Sequence, residues 1–119
     1  MAKIRQVTHP AVTGYFLTDG ELNVAILNFK NDAVAGAERG TAFAGIHHIG
    51  FQVESLAAIA ERLAAAGAPR RDDVNEALGV GQGHERHANV EVKYGGPDGV
   101  MLDVSETGWV GTPTFNPQA

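Results

Sequence analysis

A histidine and a carboxylate, far apart in the chain, fall on strand-like segments where they could meet: His48 and Asp103. The segment Gly45 to Val53 alternates. His47, Ile49, Phe51 and Val53 share one face, and His48, Gly50 and Gln52 share the other. The first set is bulky and mostly apolar, so it is expected to pack on the helix that follows. The second is small or polar and is expected to line a cavity. In Val100 to Ser105, the apolar face is Val100, Leu102 and Val104; Met101, Asp103 and Ser105 form the other. His48 and Asp103 are therefore expected to look into one space, with His47 turned toward the helix. One imidazole and one carboxylate, with no sulfur, suit Fe(II), Mn(II), Ni(II), Co(II), Mg(II) or Zn(II) with open positions for water.

Each of these residues also has a structural reading. His48 is either a hydrogen-bonded core histidine or a ligand. Asp103 is either a salt-bridge partner or a ligand, because a buried carboxylate in an apolar strand needs a partner. His47 reads as structural and His9 as exposed. His84, Glu85 and His87 flank a glycine-rich loop. They read as a solvated group, as an approach to a metal if helical, or with His84 or Glu85 as a mobile acid or base. Trp109 reads as a packing cap. The glycines at 79, 81 and 83 lack the strand-to-helix context and the following Lys-Ser/Thr of a phosphate loop.

The elements that must position these residues are legible from pattern. Residues 2–7 form a short strand, and His9-Pro10 breaks it. Residues 12–18 and 21–27 flank Asp19-Gly20, a hairpin signal. Residues 28–44 read as a connector with one weak helical turn. Ser55 caps a helix that carries Leu56, Ile59, Leu63 and Ala66 at helical spacing, and Gly67 ends it. Asp72 to Leu78 is a short helix candidate. Residues 90–94 and 100–104 flank the turn Gly95-Gly96-Pro97-Asp98-Gly99. This second hairpin echoes the first. The segment 111–119 reads as a tail unless a partner pins it.

The 119 residues, 44% of them hydrophobic, fit one soluble domain. A net charge of −5 and the absence of any Lys/Arg cluster argue against nucleic acid as the main partner. With no cysteine, disulfides, thiolate metal sites and a cysteine nucleophile are excluded. No apolar run spans a membrane and the first residues lack a signal-peptide core, so a cytoplasmic location is expected.

Three stretches together resemble the vicinal oxygen chelate superfamily, which includes glyoxalases, bleomycin resistance proteins and extradiol dioxygenases. Tyr15 to Leu27 is similar to its middle hairpin, His47 to Val53 to the strand opening its second module, and Pro97 to Trp109 to its closing strand. The resemblance implies an α+β fold of βαβββ modules curved around a metal cavity. It implies a single domain over 1–110, with a shortened first half over 1–44 and a complete second half over 45–110. It places ligands at His48 and Asp103, and at Gln6 on the opening strand of the first module; the remaining family position falls at Ala25, which cannot ligate. Only a few residues separate Val7 from Val12, too few for the usual helix and second strand. Either the first module is truncated, or 2–7 is not the family's first strand; completion of the sheet by a second chain is a further reading. The implied function is a metal-dependent glyoxalase- or dioxygenase-like enzyme acting on a small oxygen-rich substrate. The alternative is a non-catalytic, drug-sequestering binder of the bleomycin-resistance type. A homodimer is expected in either case.

Overall fold

The computed structural model describes residues 1–80 and 91–118. The elements are β1 (Ala2–His9), β2 (Val12–Thr18), β3 (Asn23–Phe29), α1 (Asp32–Ala35), β4 (His48–Gln52), α2 (Leu56–Ala65), α3 (Asp72–Ala77), β5 (Val92–Gly95) and β6 (Met101–Ser105). They form two three-stranded sheets, ordered β1-β2-β3 and β4-β6-β5. The fold is α+β, as the resemblance implied.

The first sheet is an antiparallel meander. His9 and Pro10 turn the chain, with the Ala11 amide donating to His9 Nδ1 at 3.0 Å. Strand β2 follows at once, and no helix separates it from β1. At Asp19-Gly20 the side chain builds the turn: Asp19 Oδ1 accepts from the Glu21 and Leu22 amides at 2.9 and 3.0 Å. Those two bonds hold its carboxyl below the ordinary range.

The second sheet is mixed. β4 runs parallel to β6, so the chain must cross over between them, and α2 lies in that crossover. Ser55 caps α2 through Oγ, which accepts from Ala58 N at 3.1 Å. Glu106 reinforces the cap by accepting from Leu56 N at 2.7 Å. β5 runs antiparallel to β6. Residues 69–71 extend alongside β5: Gly95 N donates to Pro69 O at 2.8 Å and Arg71 N to Lys93 O at 2.9 Å.

The two halves meet through the short helices. Asn31 caps α1 by accepting from Val34 N at 2.9 Å. Val34, Ala35 and Val74 are fully buried, and α1 lies beside α3. Arg71 clamps the junction with a bidentate pair to Glu38 at 2.8 and 3.0 Å.

Two expectations are corrected. The segment after Trp109 is not a loose tail. Thr18 Oγ1 donates to Gly111 O at 3.0 Å, Asn23 Nδ2 to Val110 O at 2.9 Å and Gln52 Nε2 to Thr114 O at 2.8 Å. These bonds stitch it to both sheets. The apolar face of β4 is also less covered than its alternation implied. Ile49 and Phe51 stay 46% and 52% exposed, and α2 buries none of its residues.

Candidate functional site

The strand registers set the site. In the parallel pair Gly50 stands opposite Asp103, and in the antiparallel pair Lys93 stands opposite Asp103. Directly paired residues project to the same side of a sheet. His48, Gly50, Lys93, Met101, Asp103 and Ser105 therefore share one face. This face was expected to line a cavity. It is instead among the most buried parts of the chain: Met101, Asp103 and Ser105 are at most 1% exposed.

Asp103 is at its centre. Lys93 Nζ lies 2.7 Å from Oδ1 and His48 Nε2 lies 3.1 Å from Oδ2. Neither contact has hydrogen-bond angles, so the Lys93 contact is mainly an attraction of opposite charges. Burial pushes the Asp103 carboxyl up, but the His48 ring and the Lys93 ammonium together outweigh it and hold the group below its usual range.

Lys93 is itself held. Its side chain is 4% exposed, and its ammonium lies 3.8 Å from Glu91 Oε2. The buried Asn75 amide acts like a neighbouring strand. Its Oδ1 accepts from Lys93 N at 2.9 Å and its Nδ2 donates to Lys93 O at 3.2 Å. Glu91 accepts a hydrogen bond from the Trp109 indole. Burial pushes the Glu91 carboxyl up more than Lys93 pulls it down, and the Asp103 charge adds to the push. Trp109 lies over Gly50, where a Cβ would come within 2.6 Å of the indole ring.

His47 lies just before β4 begins, so strand alternation does not govern it. It turns toward the first half rather than toward α2. Its ring packs on Phe29 at 4.3 Å between centroids and on the edge of Phe43 at 6.1 Å. His47 Nε2 donates to the Ala35 carbonyl at 2.6 Å, since a carbonyl can only accept. His47 Nδ1 is then the acceptor in its 2.9 Å contact with His48 Nδ1, which must carry the proton.

The structure thus brings His48 and Asp103 together and does not bring Gln6 to them. Gln6 pairs with Tyr15 on the first sheet. It lines a shallow cavity of about 320 Å³ with Thr13, Gly14, Tyr15, Ile26, Leu27 and Asn28. Phe29, which meets His47, is on the opposite face of that sheet, three residues from Ile26. Ala25 is exposed and offers no donor atom. His84, Glu85 and His87 lie outside the described residues.

The sequence reading missed Lys93, Glu91 and Asn75. A signal for the first was present: closing the hairpin around Pro97-Asp98-Gly99 sets Lys93 opposite Asp103. Asn75 carried none, because its role depends on where α3 docks.

A divalent ion at Asp103 would need its carboxylate, further donors and tolerance of the neighbouring ammonium. Among the described residues no three His, Cys, Asp or Glu side chains converge as a metal-binding group. The acceptor oxygens of Asp103 already face Lys93 and His48. The described residues therefore do not fit a complete metal centre.

No helix of the described residues is long and apolar enough to cross a membrane. A family model described as Glyoxalase/Bleomycin resistance protein/Dioxygenase superfamily matches residues 2–104. Comparison with curated proteins and with solved structures gave no significant match.

Proposed function

Because the chain belongs to the glyoxalase, bleomycin resistance and dioxygenase superfamily, we propose that it is a small-molecule-binding member of that group, working without a metal ion of its own. One observation carries this reading: the 2.7 Å contact between Lys93 Nζ and Asp103 Oδ1. The superfamily commonly binds divalent metals. In this chain the carboxylate best placed to hold one faces a buried ammonium instead. The ligand would be a small aromatic or peptide-like molecule, of the kind sequestered by binding proteins of the bleomycin-resistance type.

A second reading retains the metal. His48 and Asp103 lie on adjacent strands with an imidazole nitrogen and a carboxylate oxygen 3.1 Å apart. They would be two of the ligands of a metal-dependent glyoxalase- or dioxygenase-like enzyme. The remaining ligands would come from a second chain or from beyond the described residues. In that case the ion would supply Lewis acidity toward a substrate with adjacent oxygens, while His48 and Asp103 held it on the β4–β6 pair.

A thermal-shift screen against small aromatic and peptide-like compounds, run with and without a chelator, separates the two. Stabilisation that persists in chelator supports the metal-free binder. Stabilisation or turnover that vanishes in chelator supports the second reading. We also propose that the chain pairs with a second copy, since Tyr15 and Ile26 on the outer face of the first sheet are 41% and 59% exposed.

A further inference from the structure

We infer that Lys93 is a built-in counter-cation: it stands in for a divalent ion at Asp103, and keeps such ions out. The inference rests on the metal-free reading and names the residue responsible for it.

The placement is specific. The ammonium is 2.7 Å from an oxygen of Asp103 and 3.8 Å from an oxygen of Glu91. The other oxygen of Asp103 faces the His48 ring at 3.1 Å. The ammonium therefore lies between two carboxylates, one of which also faces an imidazole. Lysine is almost never buried without a partner, and an acidic partner buried without a cation is as costly. Lys93 is 4% exposed and Asp103 is fully buried, so each requires the other.

The cation is also fixed from outside the cluster. Asn75 bonds both backbone groups of Lys93, and Trp109 bonds Glu91. The strand register that positions the ammonium thus depends on the backbone of residue 93 and not on its side chain. Shortening or neutralising that side chain leaves the carboxylates and the imidazole where they are but removes their counter-charge. Carboxylate oxygens with one imidazole nitrogen are donors that Mn(II) and Zn(II) accept. In the native chain the same ions would have to share Asp103 with an ammonium, and like charges at that range repel.

Lys93→Met tests this, because it keeps the apolar stem and removes the charge. Full-length wild type, Lys93→Met and the double variant Lys93→Met/Asp103→Asn are titrated with Mn(II) and with Zn(II), by calorimetry and by thermal unfolding. The expected result is no change in wild type, at least about tenfold tighter ion binding in Lys93→Met with a raised Tm, and loss of that gain in the double variant. If Lys93→Met is unfolded alone, the readout is recovery of a cooperative transition on adding either ion, and no recovery overturns the inference. A folded Lys93→Met that gains no affinity overturns it too, as does a gain that survives Asp103→Asn. Wild type that itself holds the ion stoichiometrically removes the metal-free reading as well, so the two failures are told apart.

Discussion

Lys93 and Asp103 stand opposite each other across the β5–β6 ladder, with their charged ends 2.7 Å apart and both side chains nearly sealed from solvent. A buried pair of this kind adds little relative to a well-packed apolar pair, but it penalises loss of either member. Asp103→Asn keeps the shape and strands the Lys93 ammonium, so it should cost about 3–5 kcal/mol. Adding Lys93→Met to that variant should recover part of the loss, because the stranded charge is gone. Urea unfolding of the two single variants and the double variant measures this. Additive losses would show that the two side chains do not act as a pair.

His47 should titrate below the ordinary imidazole range. Burial lowers its pKa from 6.5, the nearby positive groups add to the shift, and the bond to Ala35 O only partly opposes it. The unfolded chain takes up this proton as pH falls through 6.5, and the folded chain does not. The contribution of His47 to stability is therefore complete above 6.5 and is lost as pH falls from there through the lowered folded value. An NMR titration of the ring should give a midpoint below 6.5, and a midpoint at or above it would contradict the packing on Phe29 and Phe43. His47→Phe should flatten the stability profile in that window.

Gly50 leaves room for Trp109, and an added Cβ would lie within 2.6 Å of the indole. Gly50→Ala should push the ring off the sheet and weaken its bond to Glu91. Trp109 is the only tryptophan, so its emission reports this directly. A shift to longer wavelength is expected, and an unchanged spectrum would mean that the ring does not lie on Gly50.

The outer face of the first sheet leaves Tyr15, Val24 and Ile26 between 40% and 59% exposed. A second copy covering them would give about twice the 12.5 kDa chain mass in light scattering. A mass of one chain at micromolar concentration would dismiss the dimer. Ile26→Lys should shift the wild-type mass toward the monomer.

Much of the fold was legible in local chemistry. Asp19-Gly20 marked the first hairpin, Ser55 and Gly67 bounded α2, and the short gap from Val7 to Val12 left no room for a helix. Alternation alone put His48 and Asp103 on one face. What it could not tell was whether that face meets water. Polarity suggested a cavity, but Lys93 neutralises Asp103, and a neutralised polar face can be core. His47 was misassigned because the strand starts only at His48, so its alternation does not reach residue 47. The docking of α1 and α3 and the stitching of Gly111 to Thr18 rest on contacts between residues distant in sequence, which no local pattern records.

The central claim is that the Asp103 charge is met by Lys93 and not by a metal ion. Elemental analysis tests it most directly: the native protein is loaded in turn with Mn(II), Fe(II), Ni(II) and Zn(II), desalted and assayed. The expected result is far less than one ion per chain for every metal, with no difference between wild type, His48→Ala and Asp103→Ala. Retention of about one ion per chain, lost in both variants, would contradict it and make His48 and Asp103 metal ligands.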